Sequence, residues 1–468
     1  MEGDESTRRR ERLTGLTRRR FLQAGAAGLA GAALSNLGLS GWLKEAAAQL
    51  PPGSFNPELS MSFPVERGAA LRVLRWSQFV GTDQPTFLQN AAEFTRRTGV
   101  AVQVDHETWT DVQPKAAAEA NAGSGHDIVI GFFDEPHLWP NKLVPVTDIA
   151  EYIGRKYGGW YDTPRAYGFS TDLNRWIGLP IGAPGTQINY RESWVKEAGF
   201  DPDPAKFPKT TDEFLRLARA LRTRGHPTGF ALGKAVGDGN VWVHWLLWAF
   251  GGRTVAPDNR TITINSRETA NALEYGRQLY ETMIPGVAGW LDPHNNRAFL
   301  AGEVSMTNNG ISIYFAARGD FPEIARDMNH ASMPVGPVGR PTELHLMSQA
   351  YIFSFTRYPN AAKEFLRFMM EDVQYGRWIN AMLGYVASPL RAYSNLAVWR
   401  ADPKALPFRD SIARMLPHSY AGAPGPRSAR AMAEFVIVDM FAEALTGRRS
   451  VSDAIRGTED RLRRIYQA

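Results

Sequence analysis

The sequence predicts an α/β protein, on two observations. Two stretches with strand-like alternation, 71–76 (LRVLRW) and 100–106 (VAVQVDH), and an apolar run that reads as a buried strand, 127–133 (DIVIGFF), are separated by segments with helical spacing. Helix- and strand-like stretches then alternate again through the second half without repeating the sequence, so no solenoid is indicated. The order β-α-β-α-β opens a doubly wound lobe.

In chain order, 71–76 is the first strand. In DQPTFLQNAAEFTRRTG, Asp83 is the expected cap, Pro85 fits the first turn and Gly99 ends the helix. Phe87, Leu88, Ala91 and Phe94 share one face. Val100, Val102 and Val104 alternate in the second strand. An Ala-rich helix follows, and 127–133 reads as a buried strand. Further on, Thr210 and Glu213 form a capping box ahead of a helix that runs to Gly225. PTGFALG reads as a short strand and VWVHWLLWAFGG, 241–252, as a buried helix. A capped helix is expected from Asn360, and EFVIVDMFAEALTG as a helix closed by Gly447.

Ahead of these elements stands a leader. TRRRFLQ, at 17–23, resembles the twin-arginine export signal. An uncharged run follows at 21–43, and Ala46-Ala47-Ala48 is a small-residue cleavage site. Residues 1–48 are expected to be a cleaved signal peptide, leaving a soluble periplasmic product; the alternative is an uncleaved anchor. Residues 49–68 are Pro-rich and aperiodic, and read as an extended arm.

The 420 residues after the leader hold 45 basic and 43 acidic side chains, which gives no electrostatic case for nucleic acid. Their length suits two or three domains. The absence of cysteine excludes disulfides, thiolate metal sites, a cysteine nucleophile and a lipid-modified cysteine. HETWT at 106–110 lacks the second histidine of a zinc-protease pattern, and GISIY at 310–314 lacks the second glycine of a nucleophile elbow. His126, Asp127, Asp134, Glu135 and His137 flank one strand, which polar end residues explain more simply than a metal does. No catalytic set and no cofactor fingerprint emerge, so neither enzyme activity nor a cofactor is expected. Trp76, Phe79, Trp109, Trp139, Trp160, Tyr161, Trp242 and Trp245 fall near element ends or on short helices. Each alone suits a core. Together they suit a cleft for a solute with apolar faces and polar edges, such as a sugar.

LPIGAPGTQINYRESWVKEAGFDPDPAKFPKTTDEFLRLARALR, 179–222, resembles the signature region of family 1 extracellular solute-binding proteins. FGGRTVAPDNRTITINS, AFLAGEVSMTNNG, YPNAAKEFLRFMMEDVQYGRW, GYVASP and ALTGRRSVSDAI agree in order, over nearly the whole chain after the leader. The resemblance implies a type II two-lobe binding-protein fold with discontinuous lobes, 69–182 plus 335–354 and 187–333 plus 358–468. Crossings are implied near 180–186, 333–337 and 353–357. It implies a monomeric, non-enzymatic subunit of an ABC importer that closes on a carbohydrate and delivers it to membrane permease subunits. The implied contacts are Trp76, Ser77 and Gln78 after the first strand; Asp134 and Glu135 after the third; and Thr186 and Gln187 after the first crossing. Asn240, Trp242 and His244 come from the mouth of a second-lobe helix, and Asn308, Asn309 and Ser312 from NNG. Ser348, Gln349 and Arg427 complete the set. Ile311 and Ser312 stand where the family usually has an aromatic, and Met347-Ser348-Gln349 where it often has glycines. A binder of the same fold for a polyamine, phosphodiester or metal complex is the alternative reading; an exported cofactor enzyme is a second.

Overall fold

The computed structural model describes residues 50–467, and the expected leader lies outside the described residues. Ten strands are β1 (Ala70–Trp76), β2 (Ala101–Glu107), β3 (Ile128–Phe132), β4 (Phe169–Ser170), β5 (Arg175–Trp176), β6 (Leu179–Gly182), β7 (Gln187–Arg191), β8 (Met306–Asn309), β9 (Met328–Ala331) and β10 (Ser348–Ile352). Five of them form a sheet in the order β2-β1-β3-β10-β6, and three form a second sheet, β8-β7-β9. In the first sheet β2 and β3 run parallel to β1, from Ala70 opposite Ala101 to Trp76 opposite Glu107, whereas β10 runs antiparallel to both β3 and β6. The three parallel strands are those expected from the sequence. The helices Asp83–Thr98 and Trp109–Ala122 connect them.

Local chemistry fixes these elements. Gly99 ends the first helix at φ 76, and its N–H bonds Thr95 O, a left-handed cap that glycine adopts without a Cβ penalty. Asp83, expected as the cap, is instead the first helical residue. Both its oxygens take Arg75 Nη2 at 2.8 Å, and Oδ1 also accepts from Trp378 Nε1 at 2.8 Å. Arg75 points inward from β1 and is fully buried, so its charge needs this carboxylate. The Thr210–Glu213 capping box is present as expected. PTGFALG is no strand: its single bridge joins Thr228 to Met283. The arm is not free either. Glu66 accepts the amides of Asn360 and Ala361 at 2.8 and 2.9 Å and so caps the helix Pro359–Met369, where a side-chain cap at Asn360 was expected.

The chain leaves the first sheet at the end of β6 and enters the second at β7. Gly182 makes this departure at φ 146, where a Cβ would lie 2.1 Å from Val386 Cγ1, so only glycine fits. The chain returns between β9 and β10. The third crossing, expected at 353–357, is displaced. Helices Pro359–Met369 and Asp372–Ala381 stay with the first sheet, packed on Asp83–Thr98, with Asn90 donating to Gln374 O and Arg377 to Glu93. Residues 391 and 392 still bond Gly159 and Tyr157, while Asp402 and Lys404 bond Tyr314 and Met328 on the second-sheet side. The crossing thus falls between 392 and 402, and the expected assignment of all of 358–468 to the second lobe is corrected. Apolar faces that match the first helix, not any break in the sequence, decide it. The last helices, Val436–Leu445 and Val451–Gln467, pack with Asp238–Ala249 and Arg267–Tyr280. Among the described residues no helix is long and apolar enough to cross a membrane.

Candidate functional site

The carboxyl ends of β1, β2 and β3 open at one edge of the first sheet, where open α/β sheets bind ligands. Phe79 follows β1, Trp109 follows β2, and Phe133, Asp134 and Glu135 follow β3. Facing them from the second-sheet side are the turn before Asp238–Ala249 and the helix Pro426–Ala433. Between lies a chamber of about 260 Å³, walled by Trp109, Phe132, Met432 and Phe435, with Thr110, Gln113, Asp134, Glu135, Lys234 and Asn240 as its polar groups. An inner compartment of about 20 Å³ adjoins it. Trp109 lines both, and the turn at Val236 and Gly237 joins them.

Trp109 starts a helix, which is why it stands at the strand edge. Its ring meets Phe79 edge-on at 4.5 Å and Phe132 at 5.0 Å, and its Nε1 finds no protein partner. It was noticed in the sequence as one aromatic among eight but not singled out as a contact; its place at the first turn after a predicted strand was the available signal.

Asp134 is buried. Ser428 donates to its Oδ2 at 3.0 Å, and His418 Nε2 approaches the same oxygen at 3.3 Å. Burial pushes Asp134 up to about 7 and His418 down to about 4. Their approach is therefore a contact between groups driven toward neutrality, not an ion pair, in spite of the short distance. Burial likewise pushes Glu135 up to about 8, against the stabilising N–H of Phe132 that its Oε2 accepts at 2.9 Å. Two carboxyls driven toward their neutral forms suit hydrogen bonding to an uncharged solute. The Ser428 contact also ties the helix Pro426–Ala433 to the loop after β3, closing the chamber.

The inner compartment is built around Asp238 and Asp292. Asp292 accepts the amides of Val236, Gly237 and Asp238 at 2.8–2.9 Å, capping the helix that Asp238 begins. Asp238 Oδ2 accepts from Asn295 at 2.9 Å and, at 3.4 Å, from Asn309. Burial, reinforced by Asp292, pushes Asp238 well above the ordinary carboxylate range. Neither aspartate was singled out in the sequence, because their pairing joins positions 54 residues apart. Among the described residues no group of three or more His, Asp or Glu could hold a metal ion.

The sequence-expected contacts divide accordingly. Asp134, Glu135 and Asn240 line the chamber; Thr186, Asn309 and Ser312 line the inner compartment. His244 lies behind Asn240, its Nδ1 on Asn240 O at 2.8 Å, beside a void of only about 10 Å³. Asn308 supports Asp238 by donating to its carbonyl at 2.9 Å. Trp242 must be corrected: it is 0 % exposed, packs between Phe230 and Phe441 and donates Nε1 to Ala231 O at 2.6 Å, as a core residue. Every residue of its helix from Asp238 to Ala249 is buried, so the pattern could not show which face met a cleft. Trp76 is also corrected, since it is buried behind the chamber wall against Phe132 at 5.6 Å. Ser77 and Gln78 point out of the fold and are exposed; Gln78 Oε1 accepts the Gln84 amide. Gln187, Ser348 and Gln349 lie buried within strands and line neither compartment, and Arg427 sits on the exposed face of its helix.

With the geometry in place, the comparisons are specific. The model for bacterial extracellular solute-binding proteins matches residues 89–407. A Deinococcus radiodurans protein described as a "Probable ABC transporter-binding protein" is 22 % identical over 302 residues, covering 62 % of this chain and 69 % of its own. Maltose-bound T. maritima MalE3 superposes with a TM-score of 0.72 at 20 % identity, over 85 % of this chain and 100 % of its own. The Arthrobacter chlorophenolicus A6 sugar transporter with bound laminaribiose gives 0.72 at 15 %, over 85 % and 99 %. The GacH receptor of Streptomyces glaucescens gives 0.69 at 16 %, over 85 % and 99 %. These likenesses establish the two-lobe α/β binding-protein fold, and with the family match over most of its length the chain belongs to the bacterial extracellular solute-binding proteins.

Proposed function

We propose that this protein is the periplasmic solute-binding subunit of an ABC importer and binds a carbohydrate in the chamber between its two sheets. The observation that carries this reading is the chamber itself: an aromatic wall of Trp109 and Phe132 stands beside Asp134 and Glu135, with Asn240 on the opposite side. Rings stack on the C–H faces of a sugar while neutral carboxyls and amides take its hydroxyls. The sugar-bound relatives support it. Each sheet contributes one side of the chamber, so a solute that touches both sides stabilises the joined arrangement. The protein acts as a monomer, hands its solute unchanged to the permease subunits, and reaches the periplasm by the twin-arginine route through TRRRFLQ.

A thermal-shift screen over neutral sugars, polyamines and phosphates tests the solute class. A ligand at 100 times its Kd adds about 2.7 kcal/mol to the folded state. Stabilisation by sugars, matched by calorimetric binding, is expected; stabilisation by phosphates alone would overturn the reading. Lysine at both Arg18 and Arg19 should strand precursor in the cytoplasm, and normal export of that variant would refute the proposed route.

A further inference from the structure

We propose that the inner compartment takes a protonated amino group, so that the solute is an amine-bearing carbohydrate. This rests on the carbohydrate reading for the main chamber but adds a charge to it. Three observations on different elements converge. Asp238 Oδ1, Tyr385 Oη and Thr186 Oγ1 make no hydrogen bond within the described residues, although their residues are only 7 %, 3 % and 4 % exposed and all three line this compartment. Oxygens of largely buried residues that open on a compartment and have no protein partner are free to be met by an occupant of it. Second, part of the wall is aromatic: Phe79 and Trp109, packed edge-on at 4.5 Å, and Tyr385 stand beside Pro184, Leu346, Asn309 and Ser312. Third, Asp238 and Asp292 place two carboxyl groups together here, and no basic side chain lines the compartment among the described residues.

The volume, about 20 Å³, holds one group the size of a water or an ammonium. A water would satisfy the oxygens but gain nothing from ring faces. An ammonium has three N–H donors for the three free oxygens, is attracted to aromatic faces, and as a nearby positive charge favours the ionised form of the Asp238 carboxyl. The shared wall at Trp109 lets one ligand place its ring in the chamber and its substituent in the compartment.

The test is calorimetric titration at pH 7 of matched sugars: glucose with glucosamine, galactose with galactosamine, and the N-acetyl forms, with putrescine as an amine that is not a sugar. The free amines should bind at least 10-fold tighter than their neutral and N-acetylated counterparts. Asp238→Asn should remove that preference while neutral sugars still bind, and Tyr385→Phe should reduce it. Equal or tighter binding of the neutral forms would overturn the inference, meaning that the compartment holds only water, and would leave the carbohydrate reading intact. A preference that persists in Asp238→Asn would also overturn it. Binding of putrescine alone, lost in Asp238→Asn, would keep the cation site and overturn the carbohydrate reading. No binding by any member would overturn both. Should Asp238→Asn fail to fold, the wild-type comparison and Tyr385→Phe decide.

Discussion

Replacing Trp109 with alanine separates the stacking wall from the core. The ring is partly exposed, and its buried edge is held by Phe79 and Phe132. About 50 Å² of a ring in this position remains for a ligand to cover, and the ligand face laid on it loses a similar area. At about 25 cal/mol per Å², these surfaces contribute about 2.5 kcal/mol, or about 70-fold in Kd. Titration of Trp109→Ala with the tightest-binding sugar should show that loss, while urea unfolding changes less than it would for a fully buried ring. Wild-type affinity in a folded Trp109→Ala protein would refute the stacking argument and move the solute away from the chamber.

Trp242→Ala should behave in the opposite way, costing about 3–5 kcal/mol of stability in urea, because it empties a fully buried site and leaves Ala231 O unpaired. A Trp242→Ala protein of normal stability that has lost binding would show the ring to be a contact after all. Asp134→Asn should change how stability depends on pH. The Asp134 carboxyl titrates at about 7 in the folded chain and near 4 when unfolded, so between those values only the folded chain holds the proton. Stability conferred by the protonated group therefore falls as pH rises from about 4 to 7, by about 3–4 kcal/mol, whereas asparagine has no such loss. His418, with its folded value near 4, slopes the other way. Urea midpoints that stay parallel for the two proteins from pH 4 to 8 would contradict the buried, proton-holding Asp134.

Much of the fold was legible because its strands bury apolar faces. The stretches 71–76 and 100–106 alternate, 127–133 is a short apolar run that is buried on both faces, and Gly99 and the Thr210–Glu213 box mark helix ends through local geometry alone. What the sequence hid depends on distant partners. Glu66 caps a helix about 300 residues away, and the third crossing moved because helices 359–381 prefer the face of Asp83–Thr98. The site divides in the same way. Asp134 and Glu135 were reached through the family resemblance, which places contacts in the loop after a strand that the sequence shows. Trp242 was misread because its helix is apolar on every side, and Asp238 and Asp292 were missed because their pairing joins positions 54 residues apart.

The central claim is that solute binds between the two sheets and joins them without being changed. Small-angle scattering of the protein before and after saturation with its tightest-binding sugar, followed by mass analysis of the recovered ligand, tests it most directly. Contacts from both sides of the chamber predict a smaller radius of gyration on saturation and a ligand of unaltered mass. A saturated protein with an unchanged radius of gyration, or a chemically altered ligand, would contradict the account.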